Sequence, residues 1–122
     1  MKEDILQWID GIQQMDGIPA KEVVAFNFGI FEEEIGYTLY LIESFEYDKN
    51  DDDWACVELP TQLYRYLKLP AQFASENWEF VLDAITNTLK ELEKEGKFNI
   101  PLFKNAIAIT TGFDDGDLVR IK

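Results

Sequence analysis

The stretch from Gly36 to Pro60 constrains the fold most strongly, because it places an acidic link between two apolar runs. Residues Tyr37 to Tyr47 and Trp54 to Leu59 are rich in aromatic, leucine and β-branched side chains, which are typical of strands. The link between them contains only Asp and Asn apart from Lys49, and Asp and Asn favour turns. The stretch therefore predicts a β-hairpin with an acidic tip, and we expect helices to pack over its sheet.

Two helices are predicted from apolar side chains that recur at helical spacing. The first covers Lys2 to Asp16, and Gly17 followed by Pro19 ends it. The second covers Ser75 to Glu95, where Ser75 suits the N-cap and Gly96 suits the position after the last turn. Its apolar stripe predicts that the helix packs on a core.

Further strands are predicted from alternating apolar residues. One covers Glu22 to Phe31, where Gly29 suits a bulge or a close approach of two backbones. Two short strands follow Pro101 and meet at a tight turn through Asp115-Gly116. Between Pro60 and Pro70 the pattern fits either a short helix or an extended path.

The element order, with short links between consecutive strands, predicts antiparallel pairing. A chain of 122 residues is the size of one domain. We therefore expect a single α+β domain over residues 1–122. It contains an antiparallel sheet of about five strands, with the two long helices packed on one face. The strand from Tyr37 to Tyr47 carries apolar groups on both faces, which predicts a central position.

Glu43 lies on the more apolar face of this central strand. It needs an edge position or a Lys or Arg partner, because an unpaired buried carboxylate is costly. A general acid with a raised pKa is the alternative role. Arg65 and Lys68 are scarce cations, and we expect them to neutralise nearby carboxylates.

Charge limits the kinds of partner. The chain has 24 Asp and Glu against 11 Lys and Arg, so its net charge is −13. Such a surface disfavours nucleic acid, because phosphate contacts need basic groups. It suits a basic protein partner, since complementary fields accelerate encounter. The alternative is an acidic surface that serves solubility and has no charged partner.

Histidine is absent, which removes the usual general base and excludes Ser-His-Asp triads. We interpret Cys56, the single cysteine, as a buried small hydrophobe, because no base lies near it in the sequence. No segment has the ~18 apolar residues of a membrane helix, and the N-terminus lacks a signal core. We expect a cytoplasmic protein with no catalytic residues, cofactor, metal or membrane contact.

Two acidic segments invite a metal interpretation. The loop from Asp48 begins like an EF-hand, but Asp53 and Leu59 stand where a glycine and a bidentate glutamate are required. The turn from Asp114 to Asp117 is also acidic, and the preference of Asp for turns accounts for its carboxylates. The alternative is a small enzyme that uses carboxylates and a divalent metal. Its metal ligands would be Asp114, Asp115 and Asp117.

Three short stretches carry a resemblance, together with the size, the acidic balance and the strand order. They are Ala25 to Gly29, Asp53 to Cys56 and Gly112 to Asp117. The chain resembles the small acidic immunity proteins encoded beside bacterial polymorphic or contact-dependent toxins. The resemblance implies a cytoplasmic protein that binds and blocks one toxin domain, often a nuclease. A general interaction or regulatory module without a toxin partner is the other binding-protein class.

The acidic groups also predict where a basic partner binds, and they leave the oligomeric state open. We expect carboxylates of two loops to make the contacts. Two aromatic side chains at the hairpin tip would act as anchors. The expected contact residues are Glu32, Glu33, Glu34, Tyr47, Asp48, Asp51, Asp52, Asp53 and Trp54.

Overall fold

The structure, a computed structural model, describes all 122 residues. It has an α+β fold, as predicted, with two helices and one five-stranded sheet. The strand order in the sheet is β3-β2-β1-β4-β5. The elements are α1 (Lys2–Asp16), β1 (Ala25–Glu32), β2 (Tyr37–Ser44), β3 (Tyr66–Lys68), α2 (Trp78–Lys94), β4 (Ala108–Phe113) and β5 (Val119–Arg120).

The sheet is mixed, because β1 runs antiparallel to β2 and parallel to β4. A parallel pair needs a long crossover connection, and the segment that contains α2 provides it. The two edge strands pair antiparallel, β3 with β2 and β5 with β4. The predicted antiparallel pairing is therefore confirmed for three strand pairs, and β1–β4 is the exception. The central position of β2 is also confirmed.

The hairpin predicted across the acidic link is wrong. Residues 54–59 form no strand, and Asp52–Ala55 is a short 3₁₀ turn. β1 pairs along the whole of one edge of β2, and on the other edge only Thr38 to Tyr40 are paired, with β3 instead of residues 54–59. The strand β3 comes from the Pro60 to Pro70 stretch, where a 3₁₀ turn at Leu63–Arg65 precedes it.

The helix α2 begins two residues later than predicted. Its N-cap is Asn77, whose Oδ1 accepts a hydrogen bond from the N–H of Phe80 at 2.8 Å. Such a side chain satisfies one of the free N–H groups of the first turn. Ser75 lies in the turn before it. Gly96 has a φ of 76°, so it follows the end of the helix as predicted.

One face of the sheet carries the main hydrophobic core. Phe26, Phe28 and Leu41 are almost fully buried on this face, and the ring of Phe28 lies 6.0 Å from those of both Trp8 and Phe98. Buried side chains of both helices belong to the same cluster. That both helices pack on this one face stays a prediction. The helix residues in the cluster are Ile5, Ile9, Ile12, Val81, Ile85, Leu89 and Leu92.

The second face of the sheet is buried beneath residues 45–60, which we call the covering loop. Asn27, Tyr40 and Thr110 are buried on this face, and none of them belongs to the main cluster. The loop is bonded at both sides of the sheet. The hydroxyl of Tyr66 in β3 donates to the carbonyl of Pro60 at 2.6 Å, and residues beyond β4 bind the middle of the loop. The acidic link therefore folds back over the sheet instead of projecting from it.

Candidate partner-binding site

Aromatic packing fixes the path of the covering loop. Trp54 is only 6% exposed, and its ring packs edge-to-face on Tyr47 with 5.2 Å between the ring centroids. The guanidinium of Arg120 lies 5.2 Å from the centre of the Tyr47 ring, within the range of a cation–π contact. Trp54, expected as an aromatic anchor at a hairpin tip, is instead buried and is part of the support that holds the loop to the sheet.

The aspartates of the covering loop are exposed, and three of them bind backbone N–H groups. Asp48 accepts from Asn50 at 2.8 Å, and Asp51 accepts from Asp53 at 2.9 Å. Asp52 accepts from Leu118 at 3.1 Å, which ties the loop to the segment before β5. These bonds favour a defined loop conformation, because short polar side chains that bond the backbone stabilise turns.

The charges of these aspartates are not neutralised by ion pairs. Every ion pair in the structure uses Lys2, Arg65 or Lys68, and none reaches the loop aspartates. Lys49, in the same loop, forms no ion pair either. The covering loop thus presents a concentrated negative charge on an ordered backbone. Its carboxylates are Asp48, Asp51, Asp52 and Asp53.

The other predicted contacts are Glu32 at the end of β1 and Glu33 and Glu34 in the turn after it, and all three are exposed. Glu33 accepts a hydrogen bond from Thr38 and forms an ion pair with Lys68 at 3.3 Å. The hydrogen bond, followed by the lysine charge, lowers the pKa of Glu33 below its ordinary value. No hydrogen bond or ion pair joins these glutamates to the loop aspartates.

Gly29 lies opposite Tyr40 in the β1–β2 pair, and the register continues through it without a bulge. A Cβ on Gly29 would overlap the Tyr40 ring, so the close approach is between backbone and ring rather than between two backbones. The hydroxyl of Tyr40 donates to Asp114. Burial, and then this hydrogen bond, raise the pKa of Tyr40 well above its ordinary value.

No group of three or more His, Cys, Asp or Glu side chains is arranged to hold a metal ion. Asp114 binds Tyr40, and the turn that contains it is closed by a hydrogen bond from the N–H of Gly116 to the carbonyl of Phe113 at 3.0 Å. The ligand set required by the metal-enzyme alternative is therefore not assembled. Cys56, expected to be buried, is exposed in the covering loop, because the strand predicted to bury it does not form.

Glu43 has the basic partner that its position requires. Arg65 is 7% exposed, and its Nη2 lies 3.2 Å from Glu43 and 2.6 Å from Asp16. Its Nη1 donates to the carbonyl of Leu41 at 3.4 Å. One guanidinium thus joins the end of α1 to β2, and the expectation that Arg65 and Lys68 neutralise nearby carboxylates is confirmed.

A cleft of about 740 Å³ lies beside this ion pair, and the sequence alone did not predict it. It is built from the segment after α1, the end of β2 and both ends of the covering loop. Phe45 and Val57, predicted to lie in strands, are exposed in its walls. The only local sequence signal for the cleft is that Phe45 and Val57 each stand directly before a glutamate, Glu46 and Glu58.

No protein-family model, curated protein or solved structure matches this chain. The resemblance to immunity proteins therefore stays a prediction. Neither helix is both long and apolar enough to cross a membrane.

Proposed function

We propose that this chain is a non-catalytic binding protein that neutralises a basic protein partner, as an immunity protein neutralises its toxin domain. The observation that supports this function is the charge of the covering loop. Its aspartates are exposed and free of ion pairs, and three of them are bonded to backbone N–H groups. A surface that is ordered before binding loses less conformational entropy when the complex forms.

A nuclease domain is the class of toxin that suits such a surface. Nucleases bind phosphates through basic groups, so an acidic protein can occupy the same cleft and exclude the substrate. Long-range attraction also accelerates the encounter, which an inhibitor needs when its target is lethal. We place the protein in the cytoplasm, where such a toxin finds nucleic acid.

In this proposal the loop carboxylates and Tyr47 contact the partner, and Trp54 holds the loop in shape from beneath. Glu32, Glu33 and Glu34 form a second acidic contact. Trp54 is buried, so replacing it would act on the conformation of the loop and not only on a direct contact.

The test is affinity capture of a partner from the native host at low and at high salt, followed by assay of the captured domain. We expect one basic domain at one-to-one stoichiometry, which the low-salt wash retains better than the high-salt wash. Co-expression with this chain should then restore growth to cells that produce the captured domain. A captured domain whose toxicity is unchanged by co-expression would contradict the proposal.

The role of the loop is tested by replacing its four aspartates with asparagine, which removes the charge but keeps the side-chain shape and one oxygen that can accept from a backbone N–H. We expect association to slow about tenfold at low salt, with a weaker dependence on salt. The matched control removes four exposed carboxylates from the helices. If it slows association equally, only net charge matters and the loop is not the site. The control variant is Glu3→Gln, Asp4→Asn, Glu79→Gln and Asp83→Asn.

A further inference from the structure

The cleft of about 740 Å³ borders a part of β2 that has a strand neighbour on one side only. β3 pairs with Thr38, Leu39 and Tyr40, whereas β1 pairs along the whole of β2. Residues 42–44 therefore have β1 on one side and no strand on the other. The N–H of Leu69 donates to the carbonyl of Tyr37 on the β3 side, so by alternation Leu41 and Glu43 face that side while Ile42 and Ser44 face β1. Arg65 already bonds the carbonyl of Leu41, which leaves the backbone N–H and C=O of Glu43 to pair with another extended chain.

Apolar side chains stand exposed around this edge. Ile18, Phe45 and Val57 line the cleft and are 62%, 72% and 44% exposed. Single exposed apolar residues are common on protein surfaces, but several that converge on one concave site are typical of an interaction surface. The cleft therefore offers apolar contact area beside the open strand edge.

The cleft is also strongly negative. Glu46 and Glu58 line it, are exposed and form no ion pair. Its one cation is Arg65, which is buried and already paired with Asp16 and Glu43. A bound segment must therefore supply positive charge, because the cleft has no free cation of its own.

We propose that this cleft binds an extended segment of the protein partner, with alternating basic and apolar side chains, laid beside residues 42–44 of β2. In strand addition the main-chain hydrogen bonds supply affinity and the alternating side chains supply specificity. The inference rests on the proposed function for the basic character of the partner, and it adds the surface that is used. A second copy of this chain is a poor occupant, because each copy carries a net charge of −13.

The probe is a blocked hexapeptide of alternating arginine and valine, titrated into the ¹⁵N-labelled protein at low salt. We expect saturable amide shifts at residues 42–46 and 57–58. The same peptide with glutamate in place of arginine should not bind. A version methylated on alternate backbone nitrogens should bind about fivefold more weakly, because it loses the donor to the carbonyl of Glu43.

The variant Glu46→Gln/Glu58→Gln should weaken peptide binding about fivefold, since each exposed charge pair contributes little. The control Glu79→Gln/Asp83→Asn makes the same change in charge on α2 and should leave affinity within about twofold. Glu43 is left unchanged in both, because its removal would disturb Arg65.

Several results would overturn the inference. Saturable shifts confined to residues 32–34 or 48–53 would assign the binding to the acidic loops, and the proposed function would survive. Equal weakening by the two double variants, or no saturable shift at any residue, would remove the cleft as a site. Concentration-dependent dimerisation that shifts the same cleft residues without peptide would make a second copy the occupant.

Discussion

On the first face of the sheet Phe26 packs edge-to-face on Phe103 at 4.9 Å, whereas on the second face Thr110 donates a hydrogen bond to Asn27 at 2.8 Å. The first face is buried by apolar side chains in one cluster, and the second lies beneath an irregular, charged loop. Apolar packing of the first kind dominates global stability. A loop over polar and aromatic groups can open locally at lower cost. In the proposed function, stability and recognition are thus assigned to opposite faces.

The sharpest test of this contrast compares Phe28→Ala with Trp54→Ala. Phe28 contacts aromatic rings in the main cluster, so its truncation should lower the free energy of unfolding by about 4 kcal/mol. Trp54 belongs to the covering loop and is buried between the loop and the sheet, outside the main cluster. Its truncation should therefore lower the free energy of unfolding by only about 2 kcal/mol. Denaturant unfolding measures both.

Hydrogen exchange on the folded variants separates the two faces further. Trp54→Ala should speed exchange in the covering loop while α2 keeps its protection, because only the loop is released. Equal losses of stability and of α2 protection in the two variants would show that both faces form one cooperative core.

The next largest effect is expected at Arg65, where helix and sheet meet. Arg65→Gln should lower the free energy of unfolding by about 3 kcal/mol, because it leaves Asp16 and Glu43 close together without a cation. Lys68→Gln is the control, since Lys68 pairs with Glu33 at the exposed surface and should cost about 0.5 kcal/mol. Thermal and denaturant unfolding at low salt measure both. Similar losses would mean that burial does not strengthen the Arg65 pair.

The sequence predicts the helices and strands whose apolar residues recur at a regular spacing, and it misses those that depend on partners distant in the chain. The helices and β1 have regular apolar patterns, and the structure places them within a few residues of the prediction. The parallel β1–β4 pair and β3, with only three residues, have no local pattern that reveals them. Composition alone made Trp54 to Leu59 look like a strand, because the sequence does not show that β2 pairs with β3 instead of this segment.

The candidate site shows the same division. The loop aspartates are expected to be exposed because unpaired Asp side chains are rarely buried, and the structure confirms their exposure. The exposure of Cys56 reverses the expectation, and Trp54 is buried under the loop instead of standing at a hairpin tip, because the loop folds over the sheet. The cleft joins residues from Asp16 to Leu102 that are far apart in sequence, so only the fold brings them together.

Gly29→Ala tests the close packing on the second face. The added Cβ must displace the Tyr40 ring, so we expect a loss of about 2 kcal/mol in the free energy of unfolding. In a Tyr40→Ala background the same substitution should cost much less, because the ring is gone. Gly11→Ala is the control, since open space surrounds it in α1 and it should gain about 1 kcal/mol. An additive double-mutant cycle would contradict the contact.

The smallest effect concerns the alkaline titration of Tyr40. Burial, and then the bond to Asp114, raise its folded-state pKa above 10.0, near which an unfolded tyrosine titrates. The neutral hydroxyl therefore contributes stability that is fully present below pH 10.0 and is lost as the pH rises above it, because the folded state then holds a proton that the unfolded state has released. Tyr40→Phe should lower the free energy of unfolding by about 1 kcal/mol at neutral pH. The gap between wild type and variant should narrow from about pH 9 to about pH 11. Denaturant unfolding across this range measures the gap, and the other tyrosines cancel because both proteins contain them. A constant gap would mean that Tyr40 reaches solvent through an opened loop, so that the second face does not stay closed over it.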